Sequence, residues 1–238
     1  MRTILEICRE VADLASVKRP NDLFNANGQQ ESIFLSVAKS SLDSLLRYGD
    51  WQELIKEAWF CTTAGKTRYR IDEIVSDFYS FMPDTIYVKD SKEQIIGSVT
   101  PQQWMNEKYC STPDTNVKFK IQNGCFIFLT EPPCGVKIVF QYRSNNIVWD
   151  FKTFEEKNVL SANTDVPIFD EYVVKLDILW RWLKRNGLDY SEEYNEYLRE
   201  LKKRYGAERA TKDICLAGSN PVEEGGCIHA IKISKSCQ

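Results

Sequence analysis

"KFKIQNGCFIFLTEPPCGVKIVFQYRSN", residues 118 to 145, decides the fold class of this 238-residue chain. Asn123-Gly124 is the strongest short hairpin signal in the sequence, because both central residues of a type I′ turn need positive φ. Pro132, Pro133 and Gly135 make a second reversal, so the stretch reads as three β-strands joined by two tight turns. Phe119 and Ile121 alternate with Lys118, Lys120 and Gln122. "CFIFL" and "VKIVF" are apolar at more positions, which predicts later strands buried on both faces.

Working outward, the hydrophobic period before this block is helical. Ile4, Leu5, Cys8, Val11, Ala12 and Ala15 predict a first amphipathic helix over 2–16, closed by Pro20. Ile33, Phe34, Val37, Leu42, Leu45 and Leu46 predict a second over 31–48, with Gly49 at the position of a glycine cap. "DWQELIKEAW" reads as a short third helix with Asp50 as N-cap. The period then drops to about two. "WFCTTAGKTRYRI" reads as a hairpin around Ala-Gly-Lys, "DTIYVKD" and "IIGSV" as strands, and "TPQQWMNEKY" as a short helix capped by Thr100 with Pro101 first.

Beyond the block, "IFDEYVVKLDILWRWLKRNGLDY" is apolar around most of a helix, with Asp177, Arg181 and Lys184 as its polar stripe. Such a helix belongs in a core or between subunits, which singles out Trp180, Trp182 and Leu183. Gly187 ends it, and Ser191 opens a second helix that is acidic first and basic last, as the helix dipole favours. After Ala210 the helical period is lost, and the segment reads as an extended C-terminal tail. Its apolar residues Ile214, Leu216, Ile228, Ile231 and Ile233 are candidate partner-binding residues, and Ile231 and Ile233, two apart in "CIHAIKISK", suit an edge strand added to another protein. The expected class is α+β: an α-helical domain (1–58 with 150–210), an inserted antiparallel β-domain (59–149) and a tail (211–238).

Composition narrows the function. A formal net charge of −3 supplies no basic field for holding nucleic acid or an anionic membrane. No run approaches the roughly 20 apolar residues of a membrane span, and the charged N-terminus lacks an export signal. The expectation is a soluble chain made in the cytoplasm. Eight cysteines without a CxxC pair suggest free thiols. The single histidine, His229, falls in the tail, a poor place for a His-based mechanism. "TTAGKT" ends like a phosphate loop, but Phe60 stands where its first glycine belongs. No enzyme site and no cofactor are expected.

The ordered set "ILEICREVADL", "LLRYGDWQELIKEAWFCTTAGKTRYRI", "DTIYVKDSKEQIIGSVTPQQW", the 119–145 block and "DEYVVKLDILWRWLKRNGLDYSEEYNEYLREL" resembles the head-to-tail adaptor (connector) proteins of tailed bacteriophages, particularly short-tailed ones. The likeness runs through Trp51, Thr62, Thr63, Gly65 and Tyr69, then Gly187 to Tyr190 with Tyr194 and Tyr197. After Tyr69, "YRIDEIVSDF" departs from the family's Leu-Pro. The resemblance implies a ring of about twelve copies below the portal protein in the virion neck, built of this chain and touching tail or nozzle proteins. Genomic DNA would pass through without specific binding, and the C-terminal tail would engage the portal. Alternatives are a virion-associated cell-wall hydrolase using a carboxylate pair and a monomeric host-directed binding protein.

Overall fold

The computed structural model describes residues 1–24, 28–109 and 117–208. Among these, the chain is α+β, with α-helices around one core and antiparallel strands around another.

Helix α1 (Ile4–Leu14) starts on a capping box, in which the Thr3 hydroxyl accepts the Glu6 N–H and Glu6 accepts the Thr3 N–H. This satisfies two N–H groups that the first turn leaves free. Its buried face, Ile4, Ile7, Cys8, Val11 and Ala12, is the one its spacing predicts. Helix α2 (Gln29–Tyr48) ends at Gly49, whose backbone is extended and not left-handed. Glycine is needed there for space: a Cβ would lie 2.3 Å from the Tyr205 Oη of a later helix.

The expected third helix is absent. A single 3-10 turn (Gln52–Leu54) leads into strand β1 (Ile55–Cys61). Tertiary pairing overrides helix propensity here, because β1 pairs along its whole length with β7 (Lys137–Ser144), from Ile55 opposite Arg143 to Cys61 opposite Lys137. The sequence then alternates cleanly, with Ala58 and Phe60 inward and Glu57, Trp59 and Cys61 outward.

Nor is "WFCTTAGKTRYRI" a hairpin. Strand β2 (Arg68–Arg70) leaves β1 for another sheet and pairs with β6 (Cys125–Phe128), while Gly65 turns the chain at φ 74°. Strands β3 (Phe78–Phe81) and β4 (Tyr87–Val88) join β7, giving a four-stranded sheet with β7 at its centre. "IIGSV" makes only an isolated bridge, Ile96 to Lys118. Helix α3 (Pro101–Tyr109) begins as predicted, with Thr100 Oγ1 accepting the Gln103 N–H.

In the 118–145 block, β5 (Phe119–Gln122) and β6 form the expected hairpin on Asn123 (φ 52°) and Gly124 (φ 66°). The second reversal has a different outcome. The Pro-Pro-Cys-Gly link carries the chain from the β2-β6-β5 sheet to the β1-β7-β3 sheet, so β6 and β7 do not pair. From Lys137 to Tyr142 β7 also alternates, with Ile138, Phe140 and Tyr142 buried and Gln141 exposed, because its outer face is uncovered there, whereas Arg143 and Ser144 at its end are both buried. The two sheets enclose an aromatic core in which Phe126 meets Phe140 edge-on at 4.9 Å and stacks on Phe60 at 5.7 Å.

A small third sheet, β10-β8-β9, follows (β8 Val148–Trp149, β9 Glu156–Lys157, β10 Val166–Pro167). Its Ile147 and Val148 join the helical core. Helix α4 (Glu171–Arg185), capped by the Asp170 carboxylate, packs against α1, α2 and α5 (Ser191–Glu208). At the start of α5, Asp189 accepts the Ser191 N–H and hydroxyl, so Ser191 is the first helical residue and not the cap.

Candidate interaction surfaces

Helix α4 gathers the central side chains named from the sequence. Trp182 is buried and stacks on Phe34 of α2 at 5.8 Å, and Trp180 packs against Tyr194 of α5 at 4.9 Å. Leu183 is half-buried against the same core. Both tryptophans are therefore core residues, and Trp180 lies at the core's edge. Ile214, Leu216, Ile228, Ile231 and Ile233 lie outside the described residues.

Asp177 is a correction to the polar stripe, being fully buried. Its carboxylate takes the Trp180 indole N–H at 2.7 Å and Arg181 Nε at 3.0 Å, with Ser41 of α2 beside it. Burial pushes its pKa up, and Arg181, Ser41 and Trp180 only partly offset that.

Two grooves flank α4. On one side Arg181, Lys184 and Arg185 surround Trp180 and Val37, with the Ser36 and Ser40 hydroxyls of α2 opposite, around about 360 Å³. None of the ion pairs among the described residues uses Lys184 or Arg185. On the other side Glu192, Glu193 and Glu196 of α5 face Leu14 of α1 across Leu176, Leu179 and Leu183, around about 430 Å³, with Lys175 at the rim. Lys175 is directed to Glu10, and Glu196 accepts the Tyr172 hydroxyl.

The outer face of the four-stranded sheet is a third surface. Trp59 lies opposite Val139, which lies opposite Tyr87, so the three form one row across β1, β7 and β4. At about 4.8 Å between strands the row spans about 10 Å. Trp59 is 54% exposed and Tyr87 42%, while Lys137 holds its ammonium 3.4 Å from the Trp59 ring centre. Sequence reasoning missed this row because it expected "VKIVF" to be buried on both faces, placed Trp59 in a local hairpin and read residues 50–59 as helix. The Ala58/Phe60 alternation is the signal that would have found it.

A polar junction links the helical core to the sheet. The Arg143 guanidinium of β7 donates to the Gly49 carbonyl at 2.6 Å and to Asp50 at 2.9 Å, and lies over the Tyr79 ring. Asp77 accepts from Lys56 (2.7 Å), Tyr142 (2.7 Å) and Ser144 (2.8 Å). Burial opposes its charge, but these donors outweigh it and hold its pKa below the usual carboxylate range. A polar groove of about 520 Å³ runs beside this network. The ammonium groups at its edge are engaged, Lys56 with Asp77 and Glu156 and Lys157 with Asp150 and Asp165. This arrangement fits a clamp better than a catalytic pair, since each charge already has opposite partners.

Among the described residues, no group of three or more His, Cys, Asp or Glu is placed to hold a metal ion, and no helix is long and apolar enough to cross a membrane. Comparison with protein-family models and with curated proteins found no match.

Proposed function

We propose that this chain is a structural neck protein of a tailed bacteriophage: a head-to-tail adaptor that forms a ring beneath the portal and offers its sheet to tail or nozzle proteins. The observation that carries this reading is the outward row of Trp59, Val139 and Tyr87 on a sheet backed by an aromatic core. Exposed aromatic side chains at the two ends of a row on a stiff surface, with half-buried Val139 between them, fit an assembly site. Trp and Tyr are enriched among the residues that carry most of the binding energy at interfaces. The order of helices around the β-block is the second support, through its resemblance to the adaptor family. A mildly acidic chain also suits a DNA channel, where a basic lining would retain phosphates.

The test is the native mass of the full chain, alone and after mixing with the portal ring of the same phage. Entry of the chain into a closed ring on the portal is the expected result. A chain that remains monomeric in both samples overturns the adaptor and favours the binding protein or the hydrolase.

A further inference from the structure

We infer that the two grooves beside α4 are the two halves of one contact between copies of this chain, the acidic groove of one copy seating against the basic groove of the next. At about 100° per residue, the α4 residues lining the acidic groove (Tyr172, Lys175, Leu176, Leu179, Leu183) and those lining the basic groove (Trp180, Arg181, Lys184, Arg185) are centred roughly 150° apart around the helix. The two surfaces thus point away from each other on one rigid core, and one chain cannot bring its own pair together. A contact that joins unlike patches on successive copies is heterologous, and it closes into a ring when the rotation permits.

Charge and shape agree on the partner. Glu192 and Glu193 stand in the first turn of α5, and Lys184 and Arg185 in the last turn of α4. The helix dipoles explain the sign of each cluster but not the apolar side chains left beside it. Leu14 is 59% exposed at the rim of the acidic groove. Val37 and Trp180, both nearly buried, form the apolar floor of the basic one, with Arg181 and Lys184 over the Trp180 ring. Leu14 of one copy filling the Val37–Trp180 groove of the next would bring Glu192 and Glu193 toward Lys184 and Arg185. Among the described residues, neither of those two cations has a carboxylate partner to lose. This inference rests on the ring reading for closure, whereas the choice of faces stands on the charges.

Charge reversal tests it. Full-length chains carrying Lys184→Glu with Arg185→Glu, or Glu192→Lys with Glu193→Lys, are compared with wild type by sedimentation velocity, with and without the portal ring, after melting curves confirm folding. Each reversal is expected to weaken association at least about tenfold. An equimolar mixture of the two, or one chain carrying all four changes, is expected to restore it, because every contact again joins opposite signs. Folded single reversals that associate like wild type, or a mixture that does not recover, overturn the assignment of faces. In either case a wild-type ring on the portal leaves the adaptor reading standing. A wild-type chain that never associates removes both.

Discussion

Asp177 shows how one residue can be charged by its sequence and buried by its surroundings. Helical periodicity places it with Arg181 and Lys184 on a polar stripe, yet α2 and α5 close over it, and Arg181 and the Trp180 N–H offset its burial only in part. Replacing Asp177 with alanine would leave the buried Trp180 indole N–H and the half-buried Arg181 guanidinium without their acceptor. The expected loss is about 1–3 kcal/mol, a fall in Tm of roughly 2–12 °C for a chain of this size. Asp177→Asn retains an oxygen for Trp180 and should lose less; equal melting of the alanine variant and wild type would contradict this. The roles of Trp180 and Trp182 were legible only as core or interface. Neighbouring rings decided for the core, since an all-round apolar helix looks the same in either place.

At the level of elements, the helices and the Asn-Gly hairpin were legible because their signals are local: a 3.6 period, caps, and two residues at positive φ. The start of β1 was not. "DWQELIKEAW" carries good helix formers, and only β7, some 80 residues later, makes it a strand. The polar junction was illegible for the same reason, since Arg143 meets Gly49 and Asp50 across 93 or more positions.

This junction has a testable acid dependence. Asp77 has a folded pKa below its unfolded value near 3.9. Its contribution is therefore present above about pH 4 and is lost as the pH falls through the folded value. Asp77→Asn should be about 1–3 kcal/mol less stable than wild type at pH 7, and the gap should narrow in denaturant melts below pH 4. A gap that is unchanged at pH 3 would show that the charge is not the stabilising feature.

For the whole molecule, the helical and sheet cores are built from residues up to Leu201, with Tyr205 packed on Trp51. Residues 211–238 lie outside the described residues, and the adaptor reading predicts that a chain without them still folds, as a melting curve would show. Under the adaptor reading the same truncation should abolish joining to the portal, measured by native mass. A truncated chain that attaches like the full one would move the portal contact onto the folded body.

By itself the sequence determined the α+β class, the buried faces of α1 and α2, the capped start of α3 and the β5-β6 turn, because each depends on neighbours within a few residues. Only the tertiary structure decided which strands pair, that the Pro-Pro-Cys-Gly link crosses between sheets, that Asp177 is buried, and that Trp59 and Tyr87 share one exposed row. The reason is physical: strand partners and burial depend on contacts between residues tens of positions apart. Local propensity cannot rank these contacts until the chain is closed around its cores.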